Sequence, residues 1–454
     1  MNITPFVHEG LGNSSYVVDL PGGRAAVVDP DRSTGRYLAA AEARGLSITH
    51  AFETHLHADF ISGAGELAAT CGATILVAAA AEAGFRHLPV VHGQTIELDG
   101  LSLEVTGSAG HTPEHVSYVL RSPASPPALF SGGSLIVGGA ARTDRIAPEL
   151  TAALSRSQFQ SIHRAFAGLP DETLLLPTHG GGSFCSTGTG GERTSTLGRE
   201  RATNPLLAMT DEDEFVRWFP GTFPSVPGYF FQLRAINQRG PRLRREISAP
   251  VPLEPAEFSA ASATAVVVVD VRPQAEFISG HVPGALNIAF RDAFATWLGW
   301  LVPLDTPLLL VLGDEPLDQV LAECLLVGHE RFAGVLGGGM GGWRSAGQPV
   351  AAATLAGAGV ARDAILAGAV PLDVREPDEF ASGHIPGALH IPLGMLASRL
   401  TLLTPERPIV TYCGHGERAA TALSLLQRAG FHELLNLDGG IDGWKEAGYP
   451  TIED

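Results

Sequence analysis

Cys413 stands in the run Thr411-Tyr412-Cys413-Gly414-His415-Gly416-Glu417-Arg418, where a thiol, two glycines and a cation fall within one short loop. The apolar residues before it predict a buried strand, and 417–428 is apolar at helical spacing and stops before Gly430. A cysteine between a strand end and a helix start can be ringed by inward-pointing backbone N–H groups. That field favours thiolate over thiol and also suits the terminal anion of a persulfide. Arg418 adds positive charge at the far end, and the four residues between it and Cys413 enclose a ring suited to a sulfur atom rather than a phosphate. His415 lies inside the same loop, so Cys413, His415 and Arg418 form the candidate catalytic set. A lone cysteine is more commonly a small core residue, but a core residue has no use for the Gly-His-Gly-Glu-Arg run.

A second chemistry is written in histidines. Thr54-His55-Leu56-His57-Ala58-Asp59 follows an apolar strand, Gly110-His111-Thr112-Pro113-Glu114-His115 lies at another strand end, and Pro177-Thr178-His179-Gly180 at a third. Two imidazoles one residue apart on a loop can face one ion, so His55, His57 and His111 are candidate metal ligands, with Asp59 and His179 beside them. His87, His92 and His163 lack such company and read as ordinary surface or core histidines. Cys185, shortly after His179, reads either as a relay thiol or, more commonly, as a small buried hydrophobe.

These residues need strands and helices to hold them. Up to about residue 204, short apolar strands at 25–29, 74–77, 101–105, 117–120 and 173–176 accompany helical patterns at 65–70 and 150–166. This is an α/β layering with polar residues collected at strand ends. The Gly- and Ser-rich run 180–191 reads as a mobile or site-lining loop, 241–255 as a linker, and 350–357 as a smaller joint. The remainder is an internal repeat. Asp270-Val271-Arg272 through Gly280-His281-Val282-Pro283-Gly284 returns as Asp373-Val374-Arg375 through Gly383-His384-Ile385-Pro386-Gly387, and Gly342-Trp343 returns as Gly443-Trp444. In the first copy Leu312 stands where the second has Cys413, and Cys324 falls in the following helix. The expected domains are 1–245, 255–353 and 357–454, consistent with about three domains for 454 residues.

A formal net charge of −18 argues against a nucleic-acid partner. The four cysteines have no paired spacing, which argues against a disulfide framework and fits a reducing cytoplasm. The N-terminus lacks the basic and apolar regions of a leader, and no stretch is apolar for long enough to span a bilayer, so no membrane partner is expected. Oligomeric state, a homodimer included, is open.

From about Pro255 to the C-terminus the two copies resemble the rhodanese family of sulfurtransferases. The resemblance implies that Cys413 carries sulfur, with Asp373, Arg375 and the Gly383-His384 turn in support, and that the first copy is non-catalytic. Residues 1–240 resemble the metallo-β-lactamase fold, and within it the persulfide dioxygenase and glyoxalase II branch. The marks are the Thr-His-x-His-x-Asp run, the Gly-His-Thr-Pro-Glu-His run and Arg199-Glu200-Arg201-Ala202-Thr203-Asn204-Pro205. The implied fold is an N-terminal αββα metallo-β-lactamase-like sandwich followed by two rhodanese-like α/β domains.

Two departures bear on the metal. The family expects His where Phe60 stands and Asp where Gly133 stands. In the hydrolases of the branch that Asp bridges two metals, and in the mononuclear iron dioxygenases it completes a two-His-one-carboxylate face. Three readings remain: His55, His57 and His111 hold mononuclear iron or zinc; Asp59 or Asp144 moves in as the missing carboxylate; or the domain has lost its metal. Arg142, Arg199 and Arg201 are candidate partners for the carboxylates of glutathione. The expected function joins rhodanese sulfur transfer at Cys413, from donors such as thiosulfate, to persulfide dioxygenase-like chemistry on glutathione persulfide. The alternatives are a metal-dependent thioester or lactone hydrolase, and a metal-free scaffold in which only Cys413 carries sulfur.

Overall fold

The computed structural model describes residues 2–186, 191–223 and 225–453. The chain divides into two compact units, residues 1–247 with 322–329, and residues 248–321 with 330–454.

The first unit is built on two six-stranded sheets. One takes its strands in chain order: Ile3–His8, Asn13–Leu20, Arg24–Val28, Ser47–Phe52, Thr74–Ala78 and Leu88–Val90. The other runs from Ser195–Thr196 through Leu174–Pro177, Ser125–Gly132, Val116–Ser122 and Leu101–Gly107 to Thr95–Leu98. Alternation along the strands produces the layers, because successive side chains point to opposite faces. Tyr16, Val18, Ala26 and Val28 join Leu103, Tyr118 and Phe130 between the sheets. Val17, Ala25 and Val27 turn outward, against Tyr37, Ala41 and Leu67 of the helices on that side. Across the sandwich, Val119, Leu129 and Leu175 meet Phe159, Phe215 and Phe219. The result is the αββα arrangement expected. The helix expected over 150–166 is α-helical over Thr151–Gln160 and widens into a π turn at Ser161–Ala165.

The second unit contains two five-stranded parallel sheets with one strand order. The first copy runs Pro252–Leu253, Phe332–Leu336, Leu308–Val311, Val267–Asp270, Leu286–Asn287. The second runs Thr354–Ala356, Leu434–Leu437, Ile409–Tyr412, Val370–Asp373, Leu389–His390. Their central strands, Leu-Leu-Leu-Val and Ile-Val-Thr-Tyr, are buried throughout, as parallel strands covered on both faces must be. The repeated motifs are structural in both copies. Arg272 and Arg375 each fork onto their own Asp270 and Asp373 at 2.6 Å, and donate to the carbonyls of Gly280 and Gly383 at 3.0 and 2.8 Å. His281 stacks on Phe277 and His384 on Phe380, both with ring centroids 3.8 Å apart.

Among the described residues no helix is long and apolar enough to cross a membrane.

Candidate active sites: a histidine centre and a thiol loop

The histidine centre forms where three strand ends converge. Asp29, just after strand Arg24–Val28, adopts φ 46°, a region unfavourable for most residues other than glycine. Its carboxylate accepts the Thr54 N–H at 2.7 Å, the Thr54 hydroxyl at 2.8 Å and the Thr178 hydroxyl. One buried carboxylate thereby ties the 54–59 run to the 177–180 run. Glu114 ties in the third, accepting the Leu56 N–H at 3.2 Å while paired with Arg234 at 2.8 Å. Asn237 pins the rest of the loop by donating to the carbonyls of His57 and Phe60, each at 2.8 Å.

Within this frame His55, His111 and His179 are fully buried and present ligand atoms within 4.8 Å of one another. Outer hydrogen bonds orient the rings. His111 Nδ1 donates to the Arg142 carbonyl at 2.7 Å, and His179 Nδ1 lies 3.2 Å from Asn13 Oδ1 and 3.3 Å from Asp59 Oδ2. Each contact commits Nδ1 and leaves Nε2 facing inward, the tautomer a metal-bound imidazole needs. His179 Nε2 and His55 Nε2 face each other at 3.3 Å. Burial holds His55 and His111 well below the ordinary histidine pKa, so both are neutral.

The remaining candidates are placed differently. His57 Nε2 points at Glu53 Oε2, 3.0 Å away, and at Asp29 Oδ1, 3.3 Å away, with its ring stacked on Phe60 at 4.2 Å. Burial alone would lower its pKa, but the two carboxylates outweigh burial and push it up to about 10. Asp59 accepts from Asn13 at 2.8 Å, while its other oxygen, Oδ1, is buried without a hydrogen-bond partner. Asp144 is taken up by Arg142 at 2.8 Å and by Arg145 at 2.7 Å. Of the arginines, Arg142 is buried in that pair and also donates to the Phe184 carbonyl, Arg199 pairs with Glu192, and Arg201 pairs with Asp171. Cys185 is buried, and burial together with the neighbouring Asp59 carboxylate pushes its thiol pKa well up, so it lies beside the histidine centre as a protonated thiol. Part of the 180–191 loop, residues 187–190, lies outside the described residues.

At Gly133, where the family pattern places a carboxylate, a Cβ would lie 2.6 Å from His111 Cδ2. The imidazole occupies the room such a side chain would need. The donor set therefore offers three imidazole nitrogens, with the Asp59 carboxylate buried beside His179. A single divalent ion fits this set, since histidine nitrogens suit iron and zinc alike. Two further groupings, His57 with Asp59 and His179, and His57 with Asp29 and Glu53, also lie within 4.8 Å. Both draw on the imidazole already engaged by two carboxylates.

Sequence reasoning passed over Asn13, Glu53 and His115. An acidic residue directly before Thr54, at the end of an apolar strand, was the available signal for Glu53. His115 stood in a noted motif. Its Nε2 accepts the Gly133 N–H at 3.0 Å, its Nδ1 lies 2.8 Å from Ser108 Oγ, and its ring stacks on His55, so it supports the centre. Nothing in the sequence marks Asn13.

The thiol loop joins strand Ile409–Tyr412 to helix Glu417–Arg428. Cys413 is 1% exposed, and its Sγ accepts the Gly416 N–H at 3.1 Å. Gly416 has φ 120°, a conformation that favours glycine. Opposite, Gly440 passes so close that a Cβ would lie 2.4 Å from the carbonyl oxygens of Cys413 and Gly414, and the Ile441 N–H donates to the Cys413 carbonyl at 2.8 Å. Arg418 is held by Glu379 in a two-pronged pair at 2.6 and 2.7 Å. His415 stands outside the ring, its side chain 77% exposed and 3.1 Å from Asp442. In the first copy the strand is followed by half-buried Leu312, and Cys324 is buried in helix Leu317–Leu326.

A two-layered sandwich bearing a histidine centre, joined to paired parallel α/β units of which one has a thiol loop, is a metallo-β-lactamase-like domain carrying rhodanese domains. Residues 8–179 match the metallo-beta-lactamase superfamily, and residues 254–346 and 359–447 match the rhodanese-like domain. The chain belongs to the metallo-beta-lactamase superfamily, among homologues of the persulfide dioxygenases, and carries tandem rhodanese-like domains. It is 30% identical over 197 residues to the mitochondrial persulfide dioxygenase ETHE1 of Homo sapiens, covering 42% of this chain and 70% of that relative. A sulfurtransferase of Allochromatium vinosum is 37% identical over 81 residues, 18% of this chain and 76% of the relative. The solved structure of a metallo-beta-lactamase from Staphylococcus aureus superposes with a TM-score of 0.65 at 29% identity, covering 74% of this chain and 98% of that one.

Proposed function

We propose that this protein moves sulfane sulfur through Cys413 and oxidises the resulting low-molecular-weight persulfide at the histidine centre. The observation that carries the first half is the Gly416 N–H aimed at Cys413 Sγ at 3.1 Å, in a loop whose basic end is Arg418. The Cys413 thiolate attacks the outer sulfur of thiosulfate, the S–S bond breaks, and sulfite leaves with the electron pair. The terminal sulfur of the Cys413 persulfide is then attacked by an acceptor thiolate such as that of glutathione. A new S–S bond forms on the acceptor and the Cys413 thiolate is released. The Gly416 N–H stabilises negative sulfur at both ends of this cycle.

For the second half, His55, His111 and His179 would hold the ion, with Asp59 and Asn13 orienting His179 and the Arg142 carbonyl orienting His111. Iron bound there would supply O₂-dependent oxidation of the persulfide to sulfite. His57, in its pair with Glu53 and Asp29, keeps the loop in shape without serving as a ligand. Phe60, buried against His57, occupies the position from which the hydrolases of the branch bind a second metal. That argues for one ion and for oxidation over hydrolysis. Joining the two sites in one chain keeps a reactive persulfide at high effective concentration.

The test is a thiosulfate-to-cyanide assay together with O₂ uptake on glutathione persulfide, each with wild type and Cys413→Ser. Loss of transfer with O₂ uptake retained supports the division of labour. Transfer at the wild-type rate in Cys413→Ser would sink the transferase half, and persulfide consumption without O₂ uptake would sink the oxidative half.

A further inference from the structure

The first rhodanese-like copy has Leu312 in place of the loop cysteine, yet it reaches into the loop that keeps one. Helix Gln274–Ser279 of that copy begins against Gly416. A Cβ on Gly416 would lie 2.6 Å from Gln274 Oε1 and 2.8 Å from its Nε2, so the amide rests directly on the glycine. Asn436, fully buried in the second copy, joins the two. Its Nδ2 donates to the Gly416 carbonyl at 3.4 Å and to Gln274 Oε1 at 3.5 Å, while its Oδ1 accepts the Thr411 hydroxyl at 3.2 Å. The contact is peculiar to one copy, because the position matching Gln274 in the second repeat is Pro377, although the flanking Glu276 and Phe277 match Glu379 and Phe380.

The first copy also grips the helix that follows the loop. The Asn287 N–H donates to Ser424 Oγ at 3.1 Å, Arg428 donates to the Gly284 carbonyl at 2.7 Å, and His281 meets Gln427 at 3.0 Å. Helix position and loop position are therefore both set from the copy without a thiol loop.

We propose that Gln274 is a positioning residue for sulfur transfer, holding Gly416 in the left-handed conformation that aims its N–H at Cys413 Sγ. The copy with Leu312 in place of the loop cysteine thus persists because it completes its twin's site. The assignment rests on the transferase reading above, and its consequence can be read at the thiol without turnover. The charged groups around that thiol are Arg418 with Glu379 and Glu376, Glu417 at the helix start, and the exposed pair His415 and Asp442. With these unchanged, losing the aimed N–H removes stabilisation of the thiolate and raises the pH at which it forms.

The experiment compares full-length wild type, Gln274→Ala and Gln274→Met, the last keeping length without the amide. Two quantities are measured: kcat and KM for thiosulfate-to-cyanide transfer, and the pH midpoint for iodoacetamide alkylation of Cys413, followed on its own peptide by mass spectrometry. Both variants should lose about tenfold in kcat with KM within about twofold, and raise the alkylation midpoint by about one pH unit. Wild-type values in Gln274→Ala, or full restoration in Gln274→Met, would overturn the assignment. A wild-type chain that transfers no sulfur would refute the transferase reading alone, and the alkylation midpoints would still decide the role of Gln274.

Discussion

Restoring the carboxylate at position 133 should damage the histidine centre. The backbone there cannot retreat, since the Gly133 N–H donates to His115 Nε2 at 3.0 Å and its carbonyl accepts the Ala141 N–H at 3.0 Å. A Cβ would lie 2.6 Å from His111 Cδ2, 2.9 Å from His111 Cγ and 3.0 Å from the Ala141 methyl. His111 is itself tethered through Nδ1 to the Arg142 carbonyl at 2.7 Å. The overlap must be relieved by swinging an imidazole whose Nε2 belongs to the proposed ligand set, or by breaking one of these hydrogen bonds. Overpacking of this kind costs about 1–3 kcal/mol. Gly133→Ala should thus destabilise the first unit by about that amount. Gly133→Asp adds an unpaired buried carboxylate and should cost more. Thermal unfolding and metal content by elemental analysis would be measured side by side on wild type and both variants. Lower stability and a lower metal-to-protein ratio are expected in both. If Gly133→Asp were as stable as wild type and held metal more tightly, the view that His111 has taken the carboxylate's place would be wrong.

His57 and His179 should part company in the same measurements. Alanine at 179 should remove bound metal. His57→Ala should retain it while costing about 3–5 kcal/mol, because Glu53 and Asp29 lose their buried cationic partner; equal metal loss in both variants would restore His57 to the ligand set. Acidity gives an independent check on the imidazoles. His55 and His111 lie well below their ordinary pKa and His115 is pushed down to about 3, each chiefly by burial. Below about pH 6.5 the unfolded chain takes up protons at these three positions and the folded unit does not, so their contribution is present above that pH and lost as pH falls towards 3. His57, raised to about 10, works in the opposite sense by about 1.4 kcal/mol, so metal-free protein should be less stable at pH 5.5 than at pH 7.5 by up to about 3 kcal/mol in urea unfolding. Equal or greater stability at pH 5.5 would contradict the neutral, buried state of these rings.

Much of this protein is local in the sequence. The Cys413 loop could be read because its strand, glycines and helix start are contiguous, and the unbroken apolar run 25–28 is enough to set a strand with two buried faces. The repeat was legible for the same reason, as was its missing thiol at Leu312. What only tertiary structure decided is the direction in which side chains point once several segments meet. His55 and His57 are equivalent by spacing, but in the fold His57 Nε2 faces Glu53 and Asp29, while His55 Nε2 faces that of His179, distant in sequence. The arginines that the family resemblance offered to glutathione are paired with acids in the folded chain. Gln274 meets Gly416 across 142 residues of chain, and no periodicity encodes such a contact. Ligand sets and loop supports arise from long-range packing and electrostatics, in which the partner of each polar group is whatever the fold brings within about 3 Å.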